Sequence, residues 1–243
     1  MRPVVVTNAI DEHAERYDGW FIANHVQLQS ELLLIKSCLA QAPGRALSIG
    51  CGSGVCELLL RRDHGVSVGD GVEWSGAMIA VARMRGLAVH VGSPEALPLP
   101  NSSFDTVLFN RSPSVIGNLG QALTEAFRVL RPEGCLVLAD VPKESAYSLL
   151  CELAVARGSW THAGFADITP RSPYPVELAA TLHQRTTPEK ALLVAAAGFV
   201  GLHYVQTLTR HPLYSNDSVE EPSEGFERGG YVAICATKPR PAA

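Results

Sequence analysis

One segment constrains this chain more than any other. Leu47-Ser48-Ile49-Gly50-Cys51-Gly52-Ser53-Gly54 stands where an apolar, strand-like run hands over to a helical pattern. Glycines at such a turn let the backbone bend sharply, and the helix that follows offers unpaired amide groups to a ligand. Glu73 comes 23 residues after Gly50, at the end of the next strand-like run. A carboxylate there can accept both hydroxyl protons of an adenosine ribose. The pair predicts a site for an adenosine-containing ligand.

The rest of the chain supplies the matching framework. Residues 46–49, 66–73, 87–91, 106–109 and 136–139 read as strands, and residues 55–62, 76–85 and 121–130 as helices. Such alternation requires right-handed crossovers, so the expected fold is α/β, with a doubly wound, mostly parallel sheet covered by helices on both faces. Ahead of it, residues 12–39 carry Trp20, Phe21, Val26, Leu28, Leu32, Ile35 and Leu39 at helical spacing. These predict a cap of one or two helices. Residues 141–187 break the rhythm with Pro142, Pro170, Pro173 and Pro175 among Trp160, His162, Phe165, Tyr174 and His183, and read as an insertion over the sheet's edge. Thr187-Pro188 starts a helix that Gly198 ends. Strands over 200–207 and 231–237 flank an acidic, solvated loop. The expected organisation is one domain over 1–243: helical cap 1–42, ligand-binding core 43–141, substrate-side insertion 142–187, and final helix and strands 188–240.

Composition bounds the partners. At 243 residues the chain fits one core, which can grow to roughly 250–300 residues. A net charge of -4 gives no broad positive field for nucleic acid phosphates or anionic membranes. Six cysteines stand without a C-x-x-C pair or zinc-ligand spacing, which suits reduced thiols in a cytoplasmic protein and no metal. Residues 191–208 lack Lys, Arg, Asp and Glu, yet Gly198, Gly201, His203, Tyr204 and Gln206 argue for a core helix and a strand rather than a membrane span.

The third glycine narrows the ligand. A dinucleotide fingerprint needs a small residue where Val55 stands, whereas here the third glycine comes one residue early. This G-x-G-x-G resembles the first motif of class I S-adenosylmethionine-dependent methyltransferases. Gly71-Val72-Glu73-Trp74-Ser75, Gly92-Ser93-Pro94-Glu95-Ala96-Leu97-Pro98, Ser103-Phe104-Asp105 and Phe127-Arg128-Val129-Leu130-Arg131-Pro132-Glu133-Gly134 resemble that family's later blocks in order. Within it the chain is most similar to the small-molecule branch of ubiquinone and menaquinone methyltransferases, and Ala196-Ala197-Gly198-Phe199 suits that branch.

The resemblance implies a Rossmann-like, seven-stranded sheet and S-adenosylmethionine as cofactor. It assigns Gly50, Cys51 and Gly52 to the amino acid end of the cofactor, Glu73 to the ribose, and Trp74 and Met78 to the adenine face. Ser93, Pro94 and Glu95 would border the adenine edge, Asn110, Arg111 and Ser112 the methionine portion, and Tyr17 of the cap would close over the cofactor. Two positions depart from the family pattern: Ser48 and Ser93 stand where acids are usual. Each exchanges a charge-assisted hydrogen bond, worth about 1.5–3 kcal/mol, for a neutral one worth about 1.

The implied reaction is in-line methyl transfer to a small-molecule acceptor, in which orientation supplies much of the rate. No residue is marked as catalytic. His25, His162, His183 and His211 are candidate bases, Trp20, Phe21, Trp160 and Tyr174 candidate pocket walls, and Cys51 an incidental side chain. Three other readings stay open: a cofactor-binding module without turnover, a nicotinamide-dependent oxidoreductase, and a nucleic acid methyltransferase suggested by Asn110-Arg111-Ser112-Pro113.

Overall fold

Eight strands form one sheet in the order β3-β2-β1-β4-β5-β8-β6-β7, seen in a computed structural model that describes residues 14–39, 44–165 and 167–241, with residues 14–17 described only along the backbone. β1 (Ala46–Ile49), β2 (Asp70–Glu73), β3 (Ala88–Val91), β4 (Phe104–Asn110) and β5 (Leu130–Asp140) are all parallel to one another. β8 (Tyr231–Thr237) runs antiparallel between β5 and β6 (Val200–Thr207). β1 pairs with β2 on one side and β4 on the other, so the strand order reverses beside β1. In open α/β sheets that reversal opens a crevice at the carboxyl ends of the strands.

Burial on both faces explains the near-continuous apolar strands. Leu47, Ile49, Val107, Phe109, Leu136 and Leu138 pack beneath α5 (Leu119–Val129) and α8 (Thr187–Ala196). Ala46, Leu108, Val137, Ala139 and Tyr231 face α1 (Ala14–Ala23), α2 (His25–Leu39) and α3 (Val55–His64). A third cluster seats α4 (Gly76–Met84) through Ile79 and Ala82 on Cys51, Leu87 and Val89.

The structure bears out the α/β class and corrects several details. β2 begins at Asp70 rather than at residue 66, because Gly65 takes φ +68 and returns its amide to Leu60, leaving 66–69 as the link out of α3. β5 starts six residues before the expected strand, with a register shift opposite Phe104 and Thr106. The sheet has an eighth strand, because Ser223–Glu224 (β7) of the expected acidic loop pairs with Val205 and Gln206. Thr186, not Thr187, caps α8: its hydroxyl accepts the Glu189 amide while Glu189 bonds the Thr186 amide, a reciprocal capping box. The insertion lies over the carboxyl ends of β4 and β5 rather than at the sheet's edge. It contributes α6 (Ala146–Arg157) and the short α7 (Val176–Ala179), and Arg185 fastens its end to the carbonyls of Pro113, Ile116 and Gly117. No described helix is long and apolar enough to cross a membrane.

Candidate active site

The carboxyl ends of β1, β2, β4 and β5 meet in one cleft. Gly50, Gly52, Glu73, Trp74, Met78, Asn110, Arg111 and Ser112 line it, as do Ser114, Asp140, Tyr147, Ser148, Cys151, Tyr174, Leu178, Thr181, Leu182 and Gln184. Most of the residues expected to contact the cofactor are therefore brought together. Ser93, Pro94 and Glu95 are not among the lining residues and sit beyond β3. Tyr17 lies on the α1 backbone, and its side chain is outside the described residues.

The glycine turn is built for close approach. Gly50, Gly52 and Gly54 have φ of +69, +55 and +71, a region open to glycine and strained for other residues. A Cβ on Gly50 would lie 2.6 Å from Ser112 Cβ and 3.2 Å from the Trp74 ring. Ser112 cannot retreat easily, because its hydroxyl donates to the Ile49 carbonyl at 2.6 Å. The Cys51 side chain points away from the cleft into the α4 cluster, and burial raises its thiol pKa, which agrees with an incidental rather than nucleophilic role. Asp18 on α1 clamps the turn from outside, accepting from the Ser53 hydroxyl at 2.6 Å and pairing with Arg85 at 2.7 Å.

Glu73 ties β1 to β2. Its Oε2 accepts the Gly52 amide at 2.8 Å, and its Oε1 accepts those of Trp74 and Ser75 at 2.9 and 2.8 Å. The carboxylate is thus fixed at the cleft wall by three backbone donors. Met78, 1% exposed, and the half-buried Trp74 supply apolar surface beside it.

Both departures at serine prove to be relays to neighbouring acids: Glu57, which sequence reasoning missed, and Glu95, which it places at the adenine edge. Ser48 is fully buried and donates to Glu57 Oε1 at 2.7 Å. Ser93 donates to the Glu95 carboxylate. The carboxylates are supplied from α3 and from two residues downstream. Burial raises the pKa of Glu57, with the Ser48 hydrogen bond opposing it.

Arg111 lines the cleft and also reaches back to the cap. Its φ is +57, and its guanidinium forms a two-pronged pair with Glu31 of α2 while lying 5.0–5.4 Å from the ring centroids of Phe21, Trp20 and Tyr231. It fastens the cap to the sheet. Asn110 Oδ1 accepts the Tyr231 hydroxyl. Asp140, at the end of β5, accepts from Ser114 at 2.6 Å and pairs with Lys190 of α8 at 3.0 Å, both members nearly inaccessible.

The roof is mainly apolar. Tyr147 Oη accepts the Tyr174 amide at 3.1 Å, and burial pushes the Tyr174 hydroxyl up to about 12 and the Cys151 thiol also to about 12. Tyr174 is a wall residue as expected, whereas Trp20 and Trp160 stand behind it, donating to the Ser172 and Tyr174 carbonyls. None of His25, His162, His183 or His211 lines the cleft. Asp140 was legible in principle, since it closes a strand whose carboxyl end faces the crevice; of the roof residues that line the cleft, Tyr174 alone was expected.

A cleft at the strand-order reversal, entered by a glycine turn and walled by the acid ending β2, defines an α/β enzyme for a nucleoside cofactor. Residues 47–138 match the methyltransferase domain family. An uncharacterised protein of Methanocaldococcus jannaschii is 27% identical over 95% of this chain and 99% of its own length. The demethylmenaquinone methyltransferase of Thermus thermophilus is 32% identical over 54% of this chain and 63% of its own. The crystal structure of an S-adenosylmethionine-dependent methyltransferase of Thermotoga maritima, described as a possible histamine N-methyltransferase, superposes with a TM-score of 0.80 at 29% identity, covering 94% of this chain and 98% of that one. The matching domain and these neighbours together support a class I S-adenosylmethionine-dependent methyltransferase.

Proposed function

We propose that the enzyme, as a single domain, methylates a small molecule seated between the carboxyl ends of β4 and β5 and the roof formed by α6, α7 and their connecting loop. The observation that carries this reading is the continuity of the cleft. It joins the glycine turn and Glu73 at one end to the compartment under Tyr147, Cys151, Tyr174, Leu178 and Leu182 at the other.

S-adenosylmethionine, when bound, supplies an electrophilic methyl and a thioether leaving group. The chain's own part is to orient and to exclude water. The Gly50–Gly52 backbone and Glu73 hold one end, Trp74 and Met78 pack on it, and the apolar roof confines the acceptor. Such positioning can supply roughly 7–11 kcal/mol. Among the described residues, the one carboxylate at the acceptor end, Asp140, is already engaged by Lys190 and Ser114, and no histidine lines the cleft. This favours an acceptor that arrives with a free lone pair, and an amine fits; the Thermotoga neighbour's description names such an acceptor. The acidic charge balance argues against nucleic acid as acceptor, and six free cysteines suit a reducing cytoplasmic setting.

The test is incubation of the purified protein with methyl-labelled S-adenosylmethionine and separate pools of amines, thiols, phenols and carboxylates. Transfer to the amine pool, reduced by Tyr147→Ala, is the expected result. Tight cofactor binding with no transfer to any pool would overturn the proposal in favour of a binding module.

A further inference from the structure

A second cavity, of about 280 Å³, lies on the same carboxyl-end side of the sheet as the active site. It is lined by α2, the start of α6, and the segments that leave β6 and enter β8. Val141 and Tyr147 line both spaces, so one wall separates them. An apolar cavity of about 150 Å³ holds benzene, and this one has room for a larger ligand.

Its lining is one-sided in charge. Arg210 and Arg228 line the cavity, together with His211, and no Asp or Glu lines it among the described residues. The Arg228 guanidinium makes no ion pair among the described residues, its backbone amide alone bonding Gln206. Arg210 bonds Ser218 and stands 3.9 Å from Glu220.

Gln27 lines the cavity from α2. It is 3% exposed, and its Nε2 donates to Glu31 Oε1 at 3.2 Å. That carboxylate, already paired with Arg111, can only accept, which fixes the amide with its nitrogen toward Glu31. The carbonyl oxygen Oε1 is left buried with no partner among the described residues. Buried acceptors are almost always satisfied, so this atom calls for a donor from beyond the described residues.

We propose that the cavity binds a small organic anion bearing a hydroxyl or amino donor: the donor meets Gln27 Oε1, and the carboxylate or phosphate lies between Arg210 and Arg228. This site stands independently of the methyl-acceptor reading. From Gln27 its occupancy reaches the active-site wall by two consecutive polar contacts, Gln27 to Glu31 and Glu31 to Arg111.

The experiment is titration of isotope-labelled protein with O-phosphoserine, citrate and glycerol 3-phosphate, following the Gln27 side-chain amide and the Arg228 guanidinium by NMR. At least one probe should shift both groups saturably, with affinity at least tenfold weaker in Arg228→Ala and in Gln27→Met; cooperative melting of each variant establishes that it folds. Absence of a saturable shift with all three probes, in protein that still binds S-adenosylhomocysteine, would overturn the proposal. So would undiminished binding in both variants. Failure of the cofactor reading would show separately, as loss of S-adenosylhomocysteine binding.

Discussion

Replacing Gly50 and Gly65 by alanine, one at a time, separates backbone strain from crowding at the cofactor turn. The two glycines share nearly the same φ, +69 and +68. Only one is crowded: a Cβ at Gly50 would meet Ser112 Cβ at 2.6 Å, while one at Gly65 would meet nothing within 4 Å. Left-handed backbone costs alanine about 1–2 kcal/mol, offset by about 0.4–1 kcal/mol from the stiffer unfolded chain. Gly65→Ala should therefore cost roughly 1 kcal/mol. Gly50→Ala adds overpacking of about 1–3 kcal/mol, because the obstructing atom is a Cβ whose own hydroxyl is anchored on Ile49. For a chain of this size each kcal/mol moves the melting temperature by about 2–4 °C. Denaturant unfolding with unchanged slope should thus rank Gly50→Ala below Gly65→Ala by about 1–3 kcal/mol, and calorimetry should find cofactor binding lost only in Gly50→Ala. Equal losses of stability together with equal affinities would refute the claim that the turn is shaped by close contact.

Two further perturbations probe the polar interior. Lys190→Met leaves Asp140 as an uncompensated buried charge and should cost about 3–5 kcal/mol, most of it recovered by adding Asp140→Asn; a loss that the second change deepens in denaturant unfolding would contradict the pairing. Because burial holds the Glu57 pKa above its unfolded value, the stability it contributes is present below about pH 4 and is lost as pH rises through the folded pKa. The advantage of Glu57→Gln over the natural chain should therefore grow from acid to neutral pH, and a pH-independent difference would count against it.

The sequence carried the frame of the site because glycines, alternation and a strand-ending acid are local signals. β1, β6 and β8 begin and end where the apolar runs do. Where prediction fell short, distant contacts decide. β5 extends back through Pro132 because its early residues pair with Phe104, and nothing near Ser223 in sequence announces its pairing with Gln206. The acids behind Ser48 and Ser93 stood in plain view in the chain, yet only packing brings Glu57 against Ser48. Arg111 could be placed at the cleft from its position after β4, but its partner Glu31 lies 80 residues away. The roof over the acceptor end has no periodic pattern, since its residues are held by Trp160, Tyr147 and Arg185 bonding to backbone carbonyls and amides.

The central claim is that the cleft between Gly50 and Glu73 holds S-adenosylmethionine. Calorimetric titration of the natural chain and of Glu73→Gln with S-adenosylmethionine, S-adenosylhomocysteine and NAD tests it directly. A hydrogen bond to a charged group is worth about 1.5–3 kcal/mol, so both sulfur compounds should bind and weaken at least about tenfold in the variant, with NAD silent. Binding of NAD in preference to both, or affinity indifferent to Glu73, would contradict the account.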